Sequence, residues 1–153
     1  ATAVATGYLQ PKSLVLSDLA QMVRSLAAAD LAALCRQLTS FFASIPYTMR
    51  RKDTEQERER YFHYTFYLIF RILSTYLVLT EKQQSEGRAD CIIETPKDIF
   101  IFEFKLDGTA DEALRQIESR GYARPYEADA RRVYLVGATF SSKTGTIEEW
   151  KVK

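Results

Sequence analysis

The sequence predicts an α/β fold, with helices first and then a mixed central sheet interrupted by one further helix. Apolar residues recur at helical spacing through the first forty-odd positions. Two strand-like runs flank the turn Thr95-Pro96-Lys97-Asp98, and a helix-start signal at Thr109 precedes two more strand-like runs. The resulting order is helix, three strands, helix, strand, with one strand appended.

Taken in order, Ser17 can cap a helix to about Ala29, and Asp30 can cap another to about Ala43. Leu19, Val23 and Leu26, then Leu31, Leu34 and Leu38, supply their apolar faces. Pro46 and the polar run from Arg50 to Asp53 separate these from a longer helix, roughly Thr54 to Leu79, whose second half is apolar almost all round and must be largely buried. A short strand is expected from Glu81 to Ser85, then one from Arg88 to Glu94 and one from Ile99 to Lys105, rich in aromatic and β-branched residues. Thr109 and Glu112 have the spacing of a capping box, opening a helix to about Gly121 with Ala110, Ala113, Leu114 and Ile117 on one face. Arg132 to Phe140 and Thr146 to Val152 read as the last strands.

Composition narrows the possible functions. At 153 residues and 46% hydrophobic content the chain can bury a core as one compact unit, and no internal repeat or low-complexity segment divides it. A net charge of +1 gives no global attraction for nucleic acid, so any such surface must be local, as at Arg50-Arg51-Lys52 or Arg115, Arg120 and Arg124. Cys35 and Cys91 are too few for a disulfide framework or a zinc site, which fits a reduced cytoplasmic setting. The start Ala1-Thr2-Ala3 has neither a charged nor a long apolar segment, so no export or membrane signal is read; it reads as a cut within a longer chain or a tag scar.

The hairpin carries the chemistry. With a symmetric turn Glu94 faces Ile99, and counting outward places Asp90 across from Glu103, with Cβ atoms about 5 Å apart. Alternation puts Lys105 on the face of Glu103, while Phe100, Phe102 and Phe104 point to the other, buried face, which Cys91 shares. Two carboxylates at about 5 Å repel by about 3 kcal/mol at an effective dielectric of about 20. A neutralising partner is therefore required. Lys105 in a structural ion pair, or a divalent cation bound by hard carboxylate oxygens, meets the requirement equally well. The pattern alone leaves both open.

An acidic residue ending one strand, followed by acidic-x-Lys on the next, resembles the PD-(D/E)XK phosphodiesterase motif, with Ala89-Asp90 in place of Pro-Asp and Glu103-Phe104-Lys105 as its second element. Ile45-Pro46-Tyr47, Tyr61-Phe62-His63, Glu81, Gly87-Arg88-Ala89-Asp90, Ala113-Leu114-Arg115-Gln116-Ile117, Gly121-Tyr122-Ala123 and Glu149-Trp150-Lys151 extend the likeness from about Ser40 to Lys153. The order is similar to the PD-(D/E)XK nuclease domain at the C-terminal end of AAA-ATPase-like proteins of gut Bacteroides. The resemblance implies a restriction-endonuclease-like core over 47–153, with residues 1–46 as a helical segment packed on it. It also implies a cytoplasmic, Mg2+-dependent nuclease in which Mn2+ substitutes. The expected partners are nucleic acid, DNA ahead of RNA, and an ATPase domain of the same longer chain.

On that resemblance Asp90 and Glu103 bind the metal, the backbone carbonyl of Phe104 adds a ligand, and Lys105 positions or deprotonates the attacking water. His63 matches the histidine that RecB-type members place on the helix before the sheet, with Glu59 one turn earlier as its alternative. Gln116 and Tyr122 resemble the glutamine and tyrosine that approach the active site in RecB-like nucleases. Glu81 matches an acidic position without a defined role, and Trp150 is expected to pack on the last strand. Intact Asp90, Glu103 and Lys105 favour an enzyme; near-neutral charge favours a nuclease-fold module that binds or regulates an attached ATPase.

Overall fold

A computed structural model describes residues 16–44, 57, 69, 71, 80–82 and 91–153. Helix α1 spans Leu16–Ala27 and α2 spans Leu31–Ser44. Ser17 lies inside the first turn of α1 rather than before it. Asp30 does cap α2, its Oδ1 accepting from the Ala33 amide at 3.0 Å. Of the long helix expected from Thr54 to Leu79, Glu57, Ile69 and Arg71 are described, all helical, with Ile69 buried and the other two exposed.

Among the described residues the sheet has five strands in sequence order: β1 (Thr80–Lys82), β2 (Cys91–Glu94), β3 (Asp98–Leu106), β4 (Arg132–Phe140) and β5 (Ile147–Val152). Only β3 and β4 run parallel, and α3 (Ala110–Ser119) forms the crossover between them. The mixed α/β architecture expected from the sequence is the one observed.

Turn chemistry sets the hairpin register. Thr95 and Asp98 close the turn through Thr95 N to Asp98 O at 2.8 Å, and Thr95 Oγ1 accepts from Asp98 N at 2.9 Å. Glu94 consequently faces Ile99, and Cys91 faces Phe102. Arg131 braces the same corner, donating to Asp129 at 2.8 Å and Glu94 at 2.7 Å, and these partners hold its guanidinium pKa above the ordinary value.

Strand β3 is covered on both faces. Phe100, Phe102 and Phe104 join Cys91, Phe140 and the apolar sides of α1 and α2 in the larger core. Ile99 and Ile101 pack with Ile92, Ile117, Tyr122 and Tyr126 in a second cluster beneath α3. The expected split of aromatic and ionisable side chains between the two faces is therefore realised, although the second face is also largely buried.

How close α3 comes to the sheet is decided at Gly137. A Cβ there would stand 2.5 Å from the Ala110 carbonyl oxygen, 2.9 Å from Leu114 Cγ and 3.1 Å from Ala113 Cβ. The Ala110 carbonyl is backbone and cannot swing aside as the end of a long side chain could. Gly137→Ala should accordingly lower stability by about 1–3 kcal/mol through overpacking, seen as a lower urea midpoint at unchanged slope. An unchanged midpoint would show that α3 is not seated on Gly137.

Candidate active site

Three of the side chains expected at the site, Glu103, Lys105 and Gln116, come together between β3 and α3. Glu103 is 4% exposed, faces α3 and lies opposite Gly137 in the parallel pairing with β4. Lys105 is two residues further on the same face, opposite Thr139. Because Gly137 adds no side chain, Gln116 on α3 reaches both. Its Nε2 donates to Glu103 Oε1 at 2.5 Å, and its Oε1 accepts from Lys105 Nζ.

That arrangement settles the amide's orientation. An ammonium offers only donors, so the carbonyl must turn to Lys105 and the amino group to the Glu103 carboxylate. The two charges are joined through a neutral amide whose dipole is aligned with both. With Glu103 buried and Gln116 and Lys105 half-buried, polar groups tied in this way hold fixed positions, which a reactive centre needs.

The helix carrying Gln116 is set by its ends. Thr109 Oγ1 accepts from Glu112 N at 3.0 Å, and Glu112 Oε2 accepts from Thr109 N at 3.3 Å, completing the capping box expected from the sequence. At the other end Gly121 adopts φ +66°, and the amides of Gly121 and Tyr122 bond back to the carbonyls of Glu118 and Ile117 at 3.1 and 3.2 Å. This Schellman closure returns the chain toward the sheet.

Tyr122 therefore lands in the apolar cluster with Ile92, Ile99, Ile101, Ile117 and Tyr126, at 1% exposure. Its hydroxyl has no hydrogen-bond partner among the described residues, and it does not join the Glu103–Gln116–Lys105 chain. The Phe104 ring packs against Phe102 and Phe140, at centroid distances of 6.0 and 5.9 Å, leaving its backbone as the only part that can serve a ligand. Trp150 packs against Phe102 at 6.2 Å, as a strand residue of the larger core.

Asp90, His63 and Glu59 lie outside the described residues. The observed pairing ends at Cys91 and Phe102, one step short of Asp90 and Glu103. Glu81 falls in β1 opposite Ile93. Among the described residues no three His, Cys, Asp or Glu side chains cluster as a metal site. What the described part supplies is one buried carboxylate and a neighbouring backbone carbonyl, both hard oxygen donors of the kind Mg2+ and Mn2+ prefer.

Two residues assigned no role from sequence shape the centre. Gly137 interrupts the apolar run Val133-Tyr134-Leu135-Val136, and an isolated strand glycine is a signal of close backbone approach. Glu149 on β5 reaches the first turn of α3, its Oε2 accepting from the Ala110 amide at 3.3 Å. No local pattern announces that contact.

Comparison with known proteins agrees with this geometry. The chain is 32% identical over 142 residues to an Azotobacter chroococcum mcd 1 protein described as an uncharacterized protein in the vnfD 5′ region. The match covers 92% of this chain but 27% of that protein, so the chain spans about a quarter of its relative's length. No solved structure matches the chain. Residues 57–150 match the PD-(D/E)XK nuclease superfamily, a stretch that contains the hairpin, the Glu103-Phe104-Lys105 element, α3 and β4, and the chain belongs to that superfamily.

Proposed function

We propose that this chain hydrolyses phosphodiester bonds of nucleic acid, DNA in preference to RNA, with Mg2+ bound or Mn2+ in its place. The observation that carries the reading is the buried Glu103 carboxylate tied through Gln116 to Lys105 on one face of β3. Glu103, Asp90, the Phe104 carbonyl and His63 would hold the ion. When bound, such an ion supplies charge neutralisation and an acidified water.

The chain's own residues do the rest. Lys105 Nζ stands where it orients the attacking water and offsets charge developing on the phosphate oxygens, and Gln116 keeps it from collapsing onto Glu103. A direct Lys105–Glu103 pair would bury the acid-x-Lys motif in a self-satisfied contact. Tyr122 supports α3 from below through its packing.

Residues 1–46 would pack as a helical segment against a nuclease-like unit from 47, joined in a cytoplasmic protein to an ATPase domain of a longer chain. The Azotobacter relative, of which the matched region is 27%, has room for such a domain. Among the described residues no helix is long and apolar enough to cross a membrane.

A second reading, a nuclease-fold module that binds or regulates an attached ATPase, draws on the pairing of the basic residues. Lys151 is held by Asp111 at 2.9 Å, Lys153 by Glu118, Arg131 by Glu94 and Asp129, and Arg132 lies over the Tyr134 ring at 5.9 Å. Each cation so engaged is less available to phosphate, the main source of nucleic-acid affinity.

Calorimetric titration of Mn2+ and Mg2+, paired with cleavage of single- and double-stranded DNA and RNA, separates the two. The wild-type chain should bind and cleave; Glu103→Gln should lose both, and Lys105→Ala should keep metal affinity while losing about a hundredfold or more in rate. Metal binding without cleavage favours the binding module, and full activity in Lys105→Ala would overturn the assignment of the motif.

Removing the bridge has a separate, metal-free consequence. Gln116→Leu leaves the buried Glu103 carboxylate and the Lys105 ammonium without their shared partner, at a cost of about 1–3 kcal/mol in urea unfolding. Unaltered stability would mean that Gln116 does not bridge them in solution.

A further inference from the structure

We infer that Glu149 is a positioning residue of the nuclease centre, acting through α3 to set Gln116 against Glu103 and Lys105. The inference rests on the reading of Glu103 and Lys105 as that centre, but its mechanism is visible in the metal-free chain.

Helix α3 is seated on the sheet by Ala110, Ala113 and Ile117, all fully buried. Alanines facing a glycine permit close approach, yet they offer few protrusions to stop the helix sliding along its axis. Axial position must come from directional contacts. Asp111 with Lys151 and Glu118 with Lys153 are exposed pairs, the first at 56% and 50% side-chain exposure, and pairs of that kind restrain little.

Glu149 is differently placed. Its backbone amide donates to Thr139 Oγ1 at 3.2 Å, and it faces Thr139 in the β4–β5 pairing. Thr139 is itself paired with Lys105 and fully buried. Lys105, Thr139 and Glu149 thus form one row across three strands. From the end of that row Glu149 Oε2 accepts the Ala110 amide, one of the donors an α-helix cannot satisfy within itself. A carboxylate there also meets the positive end of the helix dipole.

The same row therefore fixes both Lys105 and the start of α3. Six residues, about 9 Å of helix axis at 1.5 Å per residue, separate Ala110 from Gln116. A shift at the first turn is transmitted along the helix to the Gln116 amide, whose contacts to Glu103 and Lys105 tolerate little displacement. The carbonyl of a glutamine at 149 could still accept from Ala110, whereas alanine could not.

The experiment reads the Gln116 side-chain amide by 15N-edited NMR in the metal-free 153-residue chain, for wild type, Glu149→Gln, Glu149→Ala and Glu149→Asp. Wild type and Glu149→Gln should show two widely separated Gln116 amide protons. Glu149→Ala should bring them together toward the values of an exposed glutamine, as should Glu149→Asp, one methylene short, should the alanine variant not fold. Mn2+ titration of the same proteins should give about tenfold weaker binding in Glu149→Ala, rescued in Glu149→Gln, with no additional loss when Gln116→Ala is already present. Unchanged Gln116 signals in the alanine or aspartate variant would overturn the inference. So would a glutamine variant as impaired as alanine, which would make the charge itself the active element. A wild type that binds no Mn2+ while its Gln116 signals respond to Glu149 would instead sink the nuclease reading and leave the positioning role standing.

Discussion

Glu103 sits at 4% exposure on a strand covered on both faces, and a carboxylate so far from water costs several kcal/mol unless charge and hydrogen bonds offset it. The surrounding architecture supplies that offset. Gly137 on the adjacent strand lets α3 approach, the capping box and the Schellman turn define the ends of α3, and Gln116 carries the Lys105 charge to the carboxylate through an oriented amide. An apolar residue at 103 would pack there with less difficulty. The chain instead holds a buried acid there, joined to Lys105 through the Gln116 amide.

The parts of this arrangement readable in advance are those governed by short-range rules. Thr95 and Asp98 close the turn by local hydrogen bonds, so the register from Glu94–Ile99 to Cys91–Phe102 follows by counting, as does the division of Phe100, Phe102 and Phe104 from Glu103 and Lys105. Thr109 and Glu112 announce the start of α3 for the same reason. Ser17 was a weaker signal, since a serine near a helix start fits the first turn as well as the cap, and it lies within α1.

What escaped local reading depends on segments far apart in the chain. Glu149 meets Ala110 across 39 residues, and only the β4–β5 register brings it there. Tyr122 was brought to the site by resemblance; the positive φ at Gly121 closes the helix and turns the ring into the second apolar cluster instead. The bridge between Lys105 and Glu103 was likewise hidden. Sequence placed Gln116 near the site by resemblance, but only the close helix–sheet contact permitted by Gly137 shows that it lies between the two charges.

The electrostatics of α3 bear on how nucleic acid would be held. A helix N-terminus is an attractive phosphate site, but here Thr109, Glu112 and Glu149 already supply oxygen acceptors to its first amides, two of them from acidic side chains. A phosphate would meet negative charge there instead of open donors. Lys151 and Lys153 are engaged with Asp111 and Glu118 along the same helix, so they too are partly neutralised. Arg115, Arg120 and Arg124 remain exposed on α3 and the turn that follows it. With its amides already met by these acceptors, the first turn of α3 is left to the structural task of seating the helix on the sheet.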